Sequence, residues 1–217
     1  MNKKIITIIF LCTIFFCLSV TAQEKILEPT LSGGSFRVVN RTIRVASEQG
    51  KTIVHLDGKP GDGVAWLNNI TFEKGIIEFD VKGKNIMQQS FVGIAFHGSD
   101  DSTFDAVYFR PFNFQSSDTA RKSHSVQYVS LPQYDWSALR EKFPGKYESA
   151  LSVSIQPESW FHAKVVVEAN NITVFVNEDD KASLTVQPIS KNTTRAIGFW
   201  VGNNSDGDFS NLKITSE

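Results

Sequence analysis

The chain has 217 residues and a mass of 24.2 kDa, with 22 basic against 23 acidic side chains and a formal net charge of −1. An apolar fraction of 41% is too high, and the charge too balanced, for a disordered chain; nor is there a basic excess to neutralise a row of phosphates, so nucleic acid is excluded as the expected partner. A chain of this length buries roughly 70% of its unfolded surface and forms a core without help from metal or disulfide.

In chain order, the first element is an address. Lys3 and Lys4 precede an apolar run from Ile5 to Val20, relieved only by Thr, Ser and Cys. Its 16 residues fall short of the roughly 20 that a spanning helix requires. Val20-Thr21-Ala22 then Gln23 reads as a secretory signal cut after Ala22. Cys12 and Cys17 leave with it, and Phe15-Phe16 before Cys17 argues against a lipid-modified cysteine. The remaining 195 residues carry 20 basic and 23 acidic side chains, a net charge of −3, and no cysteine. Thiol catalysis, Cys-ligated zinc and a disulfide frame are thereby excluded. The expectation is a signal peptide over residues 1–22 and one exported domain over 23–217, periplasmic or extracellular, with no membrane anchor after cleavage.

Beyond the signal, the recurring pattern is alternation. Ile77, Phe79 and Val81 alternate with Glu78, Asp80 and Lys82, and Val92, Ile94 and Phe96 with Gly93, Ala95 and His97. Val107 and Phe109 interleave with Tyr108 and Arg110; Ile172, Val174 and Val176 with Thr173 and Phe175; Ile197, Phe199 and Val201 with Gly198 and Trp200. Period two in β-branched and aromatic residues denotes half-buried strands. Turn chemistry separates them at Asp57-Gly58, Pro60-Gly61, Lys74-Gly75 and Asn170-Asn171, the last a tight hairpin. The spacing predicts ten to twelve strands and one short helix, Ser137 to Phe143, capped by Asp135 or Ser137 and stopped by Pro144-Gly145. The architecture expected is all-β: a two-sheet antiparallel sandwich with that helix in a loop.

The segments Gly75–Gly83, Phe91–His97, Ala106–Asn113, Trp160–Val167, Ile197–Gly202 and the closing Asp206–Ile214 together resemble the concanavalin A-like lectin/glucanase superfamily, which includes laminin-G-like modules. A nearer resemblance is to secreted bacterial domains of the 3-keto-disaccharide hydrolase type. The resemblance runs from about residue 33 to the end. It implies a jelly-roll sandwich whose outer, concave sheet face carries a sugar site, and it leaves the activity open among lectins, hydrolases, lyases and adhesion modules.

Parity then nominates residues for that face. With Val92, Ile94 and Phe96 in the core, Gly93, Ala95 and His97 point outward, as do Gly198 and Trp200. Small residues beside one large group make a floor that a ligand can approach. Glu78 and Asp80 share a face, but the second glutamate of the family 16 glucanase pattern is missing, which argues against that paired-carboxyl mechanism; Glu78 remains either a solvated strand residue or a ligand contact. Arg110, followed by Pro111-Phe112-Asn113, either clamps a carboxylate or paired hydroxyls, with Asn113 as a directional partner, or braces the following loop. His124 and Tyr128 are spaced to point the same way. Of the four tryptophans, Trp200 has the parity for stacking on a sugar, Trp136 sits where it overhangs the face, and Trp160 reads as core. Trp200 is accordingly expected to be an exposed ring whose loss spares the fold. No cofactor is required, and the residues exclude a transition-metal set. By resemblance, Asp208 corresponds to a structural calcium position, against a plain turn role for Asp206-Gly-Asp208.

The candidate site is therefore Glu78, His97, Arg110, Asn113, His124, Tyr128 and Trp200 on one outward face, with an oligosaccharide or polysaccharide as partner. Three readings stand: a binding module, a glycoside-cleaving enzyme (hydrolase or lyase) using His124, Tyr128 or Glu78 as acid/base, and a laminin-G-like protein-interaction module.

Overall fold

The computed structural model describes residues 25–48, 50–191 and 194–216; the signal segment and its cleavage point lie outside them. In chain order the strands are β1 (Lys25–Leu27), β2 (Phe36–Val39), β3 (Ile43–Glu48), β4 (Lys51–Leu56), β5 (Gly63–Leu67), β6 (Gly75–Lys82), β7 (Val92–Gly98) and β8 (Phe104–Phe109). They continue with β9 (Val126–Leu131), β10 (Glu148–Ser149), β11 (Phe161–Val167), β12 (Ile172–Val176), β13 (Leu184–Val186), β14 (Ala196–Val201) and β15 (Gly207–Ser216). Two helices, α1 (Thr119–Lys122) and α2 (Trp136–Lys142), and a 3₁₀ turn at Pro111–Asn113 lie between strands.

All pairings are antiparallel and fall into two sheets. One runs β13-β12-β11-β6-β15-β4-β3, with β1 beside β15; the other runs β10-β9-β8-β7-β14-β5-β2. The alternation seen in the sequence sets their faces. Along β6 every second residue from Gly75 to Val81 is buried, while Ile76, Glu78, Asp80 and Lys82 are half-buried on the outer side. Rings from the two sheets meet between them: Phe199 stacks on Phe209 at 4.5 Å, and Phe109 packs edge-on to Phe161 at 4.9 Å. Burying each such ring contributes about 1.5–3 kcal/mol.

The all-β sandwich expected from the sequence is the fold observed. Its strands exceed ten to twelve because β1, β10 and β13 are two or three residues long, too short to carry a period. The helix α2 starts one residue earlier than expected, with Asp135 accepting the Ala138 N–H at 2.8 Å. The second helix, α1, is a single turn held by Asp118, whose carboxylate accepts from the amides of Ala120 and Arg121. Four residues hold no helical apolar pattern to read. Both helices cover the outer face of the seven-stranded sheet, and that is where the site lies.

Candidate functional site

The floor is built by the register of four strands. Gly93 of β7 lies opposite Tyr108 of β8 on one side and Trp200 of β14 on the other, and Tyr108 lies opposite Gln127 of β9. A Cβ at residue 93 would overlap the Val107 carbonyl oxygen and the Tyr108 backbone, so the position takes only glycine without rearrangement. With no side chain between them, the Tyr108 and Trp200 rings close to 4.9 Å. Burial pushes the Tyr108 hydroxyl up to about 12, so it stays protonated, donating to Gln127 Oε1 at 2.9 Å and accepting from Arg110 Nη2 at 2.6 Å. Two donors in this floor, Trp200 Nε1 and Gln127 Nε2, are buried without an acceptor from the protein, which sets the floor apart from ordinary core.

Arg110 leaves the end of β8 and is 4% exposed. Beyond Tyr108, its guanidinium donates to Gln127 Oε1 and to the His124 carbonyl (2.9 Å), which also accepts from Asn113 Nδ2 (3.2 Å). Of the two roles the sequence left open for Arg110, the structure shows the bracing one: with Asn113 it holds the loop that presents His124. Behind them Glu148, buried on the short edge strand β10, is gripped by Arg140 through both of its oxygens at 2.7–3.1 Å. It also lies 3.7 Å from Arg110 and 2.9 Å from His124 Nδ1, the latter a contact without hydrogen-bond alignment. Burial, with the Arg140 and Arg110 charges adding to it, outweighs Glu148 and holds the His124 imidazole below its ordinary pKa.

Above this floor lie two clefts that share Phe91, Trp136 and Asn203. The larger, about 640 Å³, reaches Arg110, His124, Arg140, Arg121 and Met87. The smaller, about 190 Å³, runs over Tyr108 and Trp200 to Asp62 and Asp135. Burial raises the Asp62 carboxyl against the opposing charge of Arg41. Trp136, 51% exposed at the start of α2, overhangs both clefts with Arg140 5.2 Å from its ring centre.

Arg110, Asn113, His124 and Trp200 thus come together; Glu78, His97 and Tyr128 do not join them. Glu78 belongs to the opposite sheet, facing outward beside His162 (3.7 Å) and Lys213 (3.5 Å). Tyr128 sits opposite Val107 on the core side and is fully buried; parity fails from His124 to Tyr128 because the strand begins only at Val126. His97 closes β7 with a positive φ of 54°, donating from Nδ1 to Asp105 (2.9 Å) and from Nε2 to the Glu73 carbonyl (2.6 Å). Burial opposes its charge, but Asp105 and Glu73 outweigh burial and raise its pKa; a ring that donates from both nitrogens is an imidazolium tying two loops together. Trp200 faces the cleft as parity requires, yet at 4% exposure it is floor and not an exposed ring. Trp160 is half-buried on the outer side of the other sheet, with Lys51 Nζ 4.2 Å from its ring centre, and is not core. Asp208 is bonded to His55 (2.7 Å) and paired with Lys82 (3.4 Å). Among the described residues no group of three or more His, Cys, Asp or Glu is placed to hold a metal ion.

Gln127, Arg140, Glu148, Phe91 and Met87 complete the site and were missed. Gln127 had a signal: it is the one strongly polar side chain within the apolar strand Val126–Leu131. The others sit in loops, a helix and a two-residue strand, where no period points.

No protein-family model matches this chain, and no curated protein matches it. Solved structures do. The carbohydrate-binding module CBM66 from Bacillus subtilis is 14% identical, with 82% of this chain and 94% of that one covered at a TM-score of 0.57. The Bacillus licheniformis β-glucanase is 12% identical over 91% and 99%, with a TM-score of 0.54. The exoplasmic/lumenal domain of VIP36, in a form bound to Ca²⁺ and Man3GlcNAc, is 12% identical over 85% and 83%, with a TM-score of 0.52. At such identities the likeness is one of fold, and the fold of this chain is an all-β jelly-roll sandwich of two antiparallel sheets.

Proposed function

We propose that this is an exported carbohydrate-recognising domain that binds an oligosaccharide or polysaccharide in the cleft beneath Trp136 and does not cleave it. The observation that carries this reading is the juxtaposition of a half-exposed tryptophan and Phe91 with a ring of hydrogen-bonding side chains: His124, Asn113, Gln88 and Asn203. A sugar offers an apolar C–H face and a hydroxyl edge, and this cleft offers a partner to each. The structural neighbours support the ligand class, since one is a carbohydrate-binding module, one a glucanase, and one a domain bound to Man3GlcNAc.

The chemistry favours binding over turnover. Glycoside hydrolysis uses two carboxyls flanking the bond, about 5–5.5 Å or 6.5–9.5 Å apart. The larger cleft is lined by no carboxylate, and Asp62 and Asp135 line only the smaller one beside it. Glu148 behind the larger cleft is buried and held at both oxygens by Arg140, which leaves it poorly placed to accept or deliver a proton. Export with a mature start at Gln23 accompanies this reading, and N-terminal sequencing of the released protein checks it.

The test is a glycan array run beside an assay for released reducing ends, with Trp136→Ala as the probe. The expected result is binding without turnover, weakened roughly tenfold by the substitution, as for loss of one stacked ring. Release of reducing ends would restore the enzyme reading, and silence across the array would leave a protein-interaction module.

A further inference from the structure

We infer that the saccharide taken by this cleft is anionic, bearing carboxylate or sulfate groups; the inference rests on the carbohydrate reading above. It is drawn from a local imbalance of charge. Arg110, Arg121 and Arg140 all line the larger cleft, which has no Asp or Glu in its walls. Among the described residues Glu148 is the one carboxylate within ion-pair distance of these guanidiniums, so the larger cleft holds three positive charges against one negative, an excess of two. Asp62 and Asp135 line only the adjoining smaller cleft. This occurs in a chain whose acidic residues outnumber its basic ones, so the cleft is not sampling an overall basic surface.

The three arginines differ in what they have left to offer. Arg110 is buried, with its Nη atoms committed to Tyr108, Gln127 and the His124 carbonyl, and acts as a fixed source of positive potential. Arg140 commits Nε and Nη2 to Glu148 and sits over the Trp136 ring, at the tryptophan on which a sugar would stack. Arg121 is exposed at the cleft mouth, where its side chain makes one hydrogen bond among the described residues, to the Met87 sulfur at 3.2 Å, a weak acceptor. A guanidinium is built to grip a planar or tetrahedral oxyanion with paired N–H groups. A neutral sugar would leave both excess charges unanswered in a partly desolvated cleft.

The experiment is calorimetric titration of the mature chain with three matched ligands: a galacturonate oligosaccharide, a sulfated galactan oligosaccharide and a neutral galactan oligosaccharide. The acidic ligands should bind at least tenfold more tightly than the neutral one, and the stronger of the two identifies the anion. Their affinity should fall as salt rises from about 50 to 500 mM, where screening shortens the reach of exposed charges. Arg121→Gln, at an exposed position that spares the fold, should weaken acidic binding about threefold to tenfold, while Arg44→Gln on the opposite sheet leaves it unchanged. Equal binding of the neutral ligand, still abolished by Trp136→Ala, would overturn the anionic inference and keep the carbohydrate reading. Binding indifferent to salt and to Arg121→Gln would overturn it as well. No binding of any of the three, with the parent protein equally inert on a full glycan array, would sink both.

Discussion

The outer faces of the two sheets are both rich in charge, yet they treat it in opposite ways. On the eight-stranded sheet Asp80 accepts from Lys51, His162 and Asn211, and Glu78 and Asp208 each lie beside a lysine and a histidine. These charged groups lie half-buried, uncovered by either helix, as a neutralised ladder. On the seven-stranded sheet Arg110 and Glu148 are buried, and the positive side chains predominate around the larger cleft. Alternation alone makes the two faces look alike. What distinguishes a solvated surface from a site is the chain that crosses over it.

Substitutions should separate the two faces sharply. The largest effect is expected from Trp200→Ala, which removes a buried ring packed on Tyr108 and should cost about 3–5 kcal/mol, roughly a 10 °C fall in melting temperature. A Tm within 1–2 °C of the parent would mean that the floor is looser than its packing indicates. Glu148→Gln comes next. It leaves Arg110 buried without a countercharge, and breaking a buried pair costs about 3 kcal/mol; urea denaturation that shows less than about 1 kcal/mol would show this cluster to be no more tightly coupled than the opposite face. Asp80→Asn, on that opposite face, should cost only about 1 kcal/mol by the same measurement, because its partners are partly solvated.

The smallest effect lies in pH dependence, where the faces should differ in sign. Asp80 raises the His162 pKa by accepting its proton-bearing nitrogen, so His162 stabilises the fold below about 6.5, and that contribution is lost as pH rises through the raised value. The His124 pKa is lowered by burial and the neighbouring arginines, so its contribution is present above about 6.5 and lost as pH falls. Denaturation of His162→Gln and His124→Gln between pH 5 and 8 reads this directly. The parent's advantage over the first should shrink with rising pH, and its advantage over the second should grow; parallel curves would erase the contrast. Asp80 itself is held at about 2, burial notwithstanding, by His162 and Lys51, so the ladder's carboxylate contribution persists above about pH 4 and fades toward 2.

The fold was legible because its strands keep strict parity: Ile77, Phe79 and Val81 are buried, as are Val92, Ile94 and Phe96. The site was half legible. Arg110 and Trp200 lie inside strands or at a strand end, where parity still reaches, and Trp136 was legible as an overhanging ring. Tyr128 was misplaced because a break in the strand resets the count between His124 and Val126. Glu78 was misplaced because parity says outward but not on which sheet. Glu148 and Arg140 were invisible because their meeting depends on α2 folding back against β10 across a turn, eight residues apart, a spacing that neither the helix nor the strand period marks.

The glycine at position 93 carries one further consequence, concerning how this site can change over evolutionary time. Its missing side chain joins the ladder of β7 and β8 to the meeting of Tyr108 and Trp200, so floor and sheet are one structural commitment. Met87, Gln88, Arg121 and Trp136 stand outside any strand, on segments whose hydrogen bonds do not pass through that ladder. Descendants of this chain can therefore trade ligands by exchanging the rim while inheriting the floor unaltered.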